Sequence, residues 1–163
     1  MPPMTAVRFR RHNGGIVEIV DSAATAIACY VQSDDRADEG GGMLLGRLIV
    51  NSNDVMVDEA TIPCAHDRRS RFFFWRARKP AQERVTTAWR ESGQTRIYLG
   101  DWHTHPEDDP TPSCKDLKNG RRILEQARFE QDFLLFLIAG LKTTRAWEYR
   151  KSGSKPVEMP CTR

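Results

Sequence analysis

The segment Asp101-Trp102-His103-Thr104-His105-Pro106 sets two imidazoles one residue apart, and Ser113 and Asp116 follow in Thr111-Pro112-Ser113-Cys114-Lys115-Asp116. On an extended strand side chains alternate, so His103 and His105 project from one face, and each can give a nitrogen to a metal. Pro106 biases His105 towards extended geometry and then ends the strand. Seven residues separate His105 from Ser113, a loop long enough to fold a helix start back over the strand end. His103, His105 and Asp116 then supply three ligands and leave the fourth tetrahedral position open, the pattern of catalytic zinc rather than structural zinc. Two nitrogens and one carboxylate suit Zn²⁺ better than Mg²⁺ or Ca²⁺, which prefer oxygen.

Hydrolysis at such a metal also needs a carboxylate to take a proton and return it to the leaving amine. Glu39 is the candidate, in Glu39-Gly40-Gly41-Gly42-Met43-Leu44-Leu45-Gly46. Its glycines allow close backbone approach, and the apolar run behind them anchors the loop in a core. Ser113, beside the metal, can donate to the oxyanion of a tetrahedral intermediate. Taken singly, each piece has a plainer meaning. Ser-x-x-Asp at a helix start is a capping pair, a histidine pair can simply be satisfied in place, and most glutamates are solvated. The joint pattern carries the chemistry, and a residue at a helix start can cap with one oxygen and bind metal with another.

Elements must hold these residues in place. Residues 15–20 read as a strand and 21–31 as a helix capped by Asp21 or Ser22, with Ala24, Ile27, Ala28 and Val31 on one stripe. A charged, Gly-rich loop spans 33–42, and two β-branched runs at 43–50 and 55–62 flank Asn51-Ser52-Asn53 as a hairpin. Residues 69–76 read as a further strand, and Pro80 fits the first turn of a second helix carrying Ala81, Val85, Ala88 and Trp89, which Gly93 ends. Residues 96–105 form the histidine strand. A third helix starts near Ser113, with Leu117, Leu124 and Ala127 on its apolar side. Residues 133–139 are a strand buried on both faces, 145–150 an edge strand, and 151–163 a loose tail behind a single domain at 1–150. The fold class is α/β (or α+β), a mixed sheet covered by helices.

Composition narrows the classes. A chain of 163 residues supports one core. A net charge of +3 gives no general case for nucleic acid as partner. No apolar stretch is long enough to cross a membrane, and residues 1–8 lack a secretory h-region, so the expected compartment is cytoplasmic. Cys29, Cys64, Cys114 and Cys161 are scattered and read as free thiols, some of them buried. Cys114 lies inside the complete metal motif and is not read as a nucleophile. His12 and His66 are expected to face solvent, while Trp102 and Thr104 pack the face opposite the ligands. The Arg/aromatic stretch 68–79 reads as a strand with a buried aromatic face; a single-stranded nucleic-acid platform and a protein-docking surface are the alternatives. Glu107-Asp108-Asp109 is either a guide for a basic substrate tail or a solvated loop.

H-x-H-x₇-S-x-x-D with an upstream Glu resembles the signature of the JAB/MPN metalloprotease superfamily, and E-x-G-G-x-L-L-G at 39–46 resembles its prokaryotic JAB branch. The resemblance spans residues 15–139. It implies a single JAB/MPN domain of cytidine-deaminase-like α/β fold and one Zn²⁺ per chain held by His103, His105 and Asp116. It also implies Glu39 as base and Ser113 at the oxyanion. Size and lack of fused domains look like the stand-alone isopeptidases of bacterial anti-phage CBASS operons. These resemble deubiquitinases and release a cGAS-like nucleotidyltransferase from its targets. The implied partner is a protein substrate with an extended C-terminal tail, a ubiquitin-like protein or a conjugated nucleotidyltransferase. Processing of ubiquitin-like sulfur carriers and a non-catalytic MPN scaffold are the alternatives. Zinc deaminases carry H-x-E and P-C-x-x-C, neither of which occurs here.

Overall fold

The computed structural model describes residues 5–162. Residues 1–4, part of the N-terminal segment read above, and the last residue of the tail lie outside the described residues. In chain order the elements are β1 (Val7–Arg10), β2 (Ile16–Ile19), α1 (Asp21–Ala28), β3 (Gly41–Leu48), β4 (Val55–Ala60), β5 (Arg68–Ser70), β6 (Phe73–Trp75), α2 (Arg78–Glu91), β7 (Ile97–Thr104), α3 (Cys114–Gln126), β8 (Phe133–Ala139), β9 (Thr144–Arg150), β10 (Val157–Met159) and β11 (Cys161–Thr162). Nine strands form one mixed sheet, ordered β10-β9-β8-β7-β3-β4-β2-β1-β11, and β5 with β6 forms a separate hairpin.

Alternation along the central strands assigns the helices to faces. Leu135 and Leu137 of β8 join Trp102, Leu44, Val57 and the α1 residues Ala23, Ala24 and Ile27 in the main core. Their neighbours Leu134 and Phe136 pack instead against Leu124 of α3. Met43 and Leu45 of β3 likewise pack against Ala88 of α2. So α1 covers one face, and α2 and α3 cover the other. β8 is buried throughout, as expected of a strand with both faces covered. β7 and β8 run parallel, and α3 makes the crossover that a parallel pair requires. This is the α/β layering read from the sequence.

Several local readings are corrected. The last residues are not loose: β10 pairs with β9 and β11 pairs with β1, so β9 is an inner strand. Only Pro160 stands between β10 and β11, which brings the two ends of the sheet together and curls it around the main core. The Arg/aromatic stretch turns back on itself as β5–β6, leaving Phe72, Phe73 and Trp75 exposed and only Phe74 half-buried. Val20, with no side-chain cap, precedes α1, and Asp21 accepts the Ala6 N–H instead. Trp89 and Leu117 are exposed, and all four cysteines are free and exposed rather than partly buried. β1 was not read at all; its Val-Arg-Phe-Arg alternates strictly but is only four residues long.

One irregularity aims the site. Leu45 pairs with Tyr98 and Leu44 with Gly100, so Leu99 is an extra residue in β7. The bulge resets alternation. Leu99 and Trp102 therefore both enter the main core, while Tyr98, Asp101 and His103 share the face toward α2 and α3. Gly100 has φ +148, and a Cβ there would lie 1.8 Å from the Leu135 carbonyl oxygen. Only glycine fits this position.

Candidate active site

His103 lies near the end of β7 and His105 just beyond it, where the His105 N–H donates to the Ala139 carbonyl at 3.0 Å. Their Nε2 atoms stand 3.1 Å apart. The start of α3 closes over them: Asp116 places Oδ1 3.3 Å from His103 Nε2 and Oδ2 3.3 Å from His105 Nε2. Ligands 2.0–2.1 Å from a tetrahedral zinc stand about 3.3 Å from one another. The two imidazole nitrogens thus stand at zinc-ligand spacing from each other, and each stands so from one Asp116 oxygen; two imidazoles and a carboxylate are a donor set that fits the ion.

Ser113 is the N-cap of α3 in a complete capping box. Its Oγ accepts the Asp116 N–H at 3.2 Å, and its own N–H donates to Asp116 Oδ2 at 2.6 Å. The cap and the site are one device: the box that starts the helix also turns the Asp116 carboxylate toward the histidines. Burial would raise the Asp116 carboxyl, but hydrogen bonds from His103 and His105 outweigh it and hold the group well below the usual carboxylate range. Burial would likewise disfavour charge on His105, yet the bond to Asp116 outweighs it and raises the imidazole.

Glu39 behaves in the opposite way. It is 6% exposed, and its ligand atom lies with those of His103 and His105 in a group spanning no more than 4.8 Å. Burial, partly offset by the two histidines and reinforced by Asp116, pushes its carboxyl up to about 7. Two carboxylates in one site are driven apart, one kept ionised and one poised to exchange a proton near neutrality. The glycines after Glu39 let the loop approach β4 and the hairpin. A Cβ on Gly42 would lie 2.0 Å from the Thr61 carbonyl oxygen, and one on Gly41 would meet the Phe74 ring at 2.5 Å.

The site opens into a cleft of about 480 Å³ lined by β6, α2, β7 and α3, including Phe74, Trp75, Arg76, Asp101 and Arg122. Arg122 of α3 stacks over the Trp75 ring at 4.7 Å, and Arg76 pairs with Asp101, which also accepts from the Tyr98 hydroxyl at 3.2 Å.

Residues 22–150 match the prokaryotic homologs of the JAB domain. The chain belongs to this family. Its relatives include a protein of Pseudomonas aeruginosa named "CD-NTase/cGAS isopeptidase", 35% identical over 67% of this chain and 68% of that one. A Vibrio cholerae protein of the same name is 32% identical over 82% of each chain. The solution structure of a Desulfitobacterium hafniense protein shares the fold, with TM-score 0.59, 19% identity, and coverage of 86% of this chain and 87% of that one.

In this JAB domain Glu39, His103 and Asp116 line the cleft, His105 stands against His103 and Asp116, and Ser113 caps the helix that carries Asp116. Sequence reasoning missed the groups behind them. Thr104, read only as packing, accepts the Gly40 N–H on Oγ1 at 2.9 Å and donates to Gln32 Oε1 at 3.0 Å. Gln32 is 2% exposed, and a buried amide at the end of an apolar helical stripe was its only signal. The acidic triplet after the histidines is exposed, as the solvated-loop reading expects, and each of its side chains has a local partner. Glu107 lies 3.8 Å from His105 Nδ1, Asp108 binds Lys142, and Asp109 accepts from Thr143 Oγ1. His12 and His66 face solvent, as expected. No helix among the described residues is long and apolar enough to cross a membrane.

Proposed function

We propose that this chain is a zinc-dependent isopeptidase that detaches a cGAS-like nucleotidyltransferase from the lysines to which its C-terminus is joined, within anti-phage defence. The observation that carries it is the pairing of two histidines and Asp116 at zinc-ligand spacing with a separate buried carboxylate, Glu39, poised near 7. The names of the relatives support the substrate.

His103, His105 and Asp116 would hold the ion. Zinc there supplies Lewis-acid polarisation of the scissile carbonyl and acidifies water at neutral pH. Glu39 takes one proton from the attacking water at its carboxylate and delivers it to the departing lysine amine. Water and the isopeptide bond thereby become a C-terminal carboxylate and a free amine. Ser113 Oγ, whose lone pair already accepts a backbone N–H, keeps its hydroxyl proton to donate to the oxyanion. The extended tail lies along the cleft between β6 and α3, with Trp75 and Arg122 at its wall.

The test is a conjugate carrying a cGAS-like nucleotidyltransferase on a lysine through its C-terminal carboxyl. Mass spectrometry of the products should show an intact nucleotidyltransferase terminus and an unmodified lysine. Chelation should stop the reaction and zinc should restore it. Cleavage that continues at full rate after chelation would refute the zinc assignment.

A further inference from the structure

Glu39 sits on residues 33–40, a stretch between α1 and β3 with no helix or strand. A group that moves a proton must be held within hydrogen-bond reach of its partner, so this irregular stretch needs anchors. We propose that Gln32 is a positioning residue for Glu39: its buried amide ties the Glu39 loop at once to the ligand strand β7 and to the β5–β6 hairpin, so that base and cleft wall are held as one unit. The proposal rests on the assignment of Glu39 as base.

The bonds form an unbroken chain. The Gly40 N–H donates to Thr104 Oγ1, the Thr104 hydroxyl donates to Gln32 Oε1, and Gln32 Nε2 donates to the carbonyls of Ala37 at 3.1 Å and Arg71 at 2.7 Å. Thr104 N–H also donates to the Gly40 carbonyl at 2.9 Å, so Gly40 is gripped on both sides by the residue between the two histidines. Every donor points the same way along the chain, an arrangement in which each bond polarises the next. The two carbonyls facing Nε2 settle the amide's orientation, because only an NH₂ group satisfies both.

The far end of the chain matters because the hairpin is not part of the main sheet. β5 and β6 have three residues each and belong to no larger sheet; an isolated two-stranded hairpin is marginal in water. Trp75 is held by Arg122 of α3 and Arg76, next to β6, by Asp101 of β7, while the turn end of the hairpin is attached to the Glu39 loop. The Glu39 N–H donates to the Ser70 carbonyl at 2.8 Å, the Arg71 side chain donates to the Asp34 carbonyl at 3.1 Å, and Gln32 holds the Arg71 carbonyl. Phe74 and Trp75 of the same hairpin line the cleft. Gln32 reaches the ligand strand only through Thr104 and the base through Thr104 and Gly40; zinc content, read beside kcat, separates an effect on the ligands from one on Glu39.

Gln32→Met removes both donors and the acceptor while keeping volume. On the nucleotidyltransferase–lysine conjugate, kcat should fall roughly 10- to 100-fold, the scale on which a displaced group loses rate. KM and zinc per chain should stay unchanged. Thr104→Ser should keep the wild-type kcat and Thr104→Val should lose it; the pair decides the matter if Gln32→Met does not fold. Independently of activity, amide exchange across residues 33–40 should accelerate in Gln32→Met and Thr104→Val but not in Thr104→Ser. A folded Gln32→Met with wild-type kcat, a rise in KM alone, equal behaviour of the two Thr104 variants, or unchanged exchange would each overturn the proposal. If these variants are normal while Glu39→Gln is dead, only the role of Gln32 falls. If Glu39→Gln cleaves like wild type, the base assignment falls and Gln32 with it.

Discussion

Among the described residues, fully buried charge falls in two places and is treated differently in each. Where the sheet ends meet, Arg11 donates to Glu148 Oε2 at 2.7 Å and to the Asn53 carbonyl at 2.6 Å, and lies 4.0 Å over the Phe133 ring. Arg150 satisfies the other Glu148 oxygen at 2.8 Å. There every charge faces an opposite one, Glu148 serving both arginines, and the cluster ties Arg11, just past β1, to β9. At the cleft, Glu39, His103, His105 and Asp116 turn their lone pairs toward one another. Matched charge is architecture, whereas convergent acceptors are a site that a cation completes.

Breaking the cleft cluster should cost function first. His103→Ala is expected to lose bound zinc and cleavage together, by three orders of magnitude or roughly so in rate, while circular dichroism stays native. Breaking the seam should do the reverse. Glu148→Ala leaves Arg11 buried without a counter-charge and is expected to cost about 3–5 kcal/mol in denaturant unfolding, with kcat of the folded fraction unchanged.

The two buried glutamates should also respond to pH with opposite sign. Burial opposes charge on Glu148, but Arg11 and Arg150 outweigh it and depress its carboxyl, so its stabilisation is present at neutral pH and lost as pH falls. Glu39 is raised from 4.5 to about 7. Below pH 4.5 it is protonated whether the chain is folded or unfolded. Between that value and about 7 the unfolded chain releases a proton that the folded one keeps, so metal-free stability falls as pH rises, by at most about 3 kcal/mol. Glu39→Gln should remove that slope, measured by thermal unfolding of metal-free protein across the range. The smallest expected effect is at the cleft wall. Trp75→Ala loses a partly exposed cation–π contact and should raise KM by roughly two- to fivefold.

The site was legible because its residues carry chemistry at fixed spacing. A strand of alternating side chains and a helix start with a capping box are local structures, and the motif lies almost wholly within them. The fold's closure was not legible. β10 and β11 are three and two residues long and gain stability only from partners about 150 residues away in the case of β1. The bulge at Leu99 was invisible for a related reason: Gly100 reads as an ordinary strand glycine until the Leu135 carbonyl is known to press on it. Gln32 was missed because a buried amide declares its role only through the carbonyls it finds. Phe72, Phe73 and Trp75 misled, since an aromatic run suggests a buried face and here lines a projecting hairpin.

The central claim separates the ligands from the base, and the geometry leaves two readings of Glu39 to be told apart by metal content, because its ligand atom groups with those of His103 and His105. The direct measurement is zinc per chain and cleavage rate on the same preparation of Glu39→Gln. One zinc per chain with cleavage reduced about a thousandfold or more is the expected result. Loss of zinc would make Glu39 a ligand, and retained cleavage would remove it from the reaction; either would contradict the account.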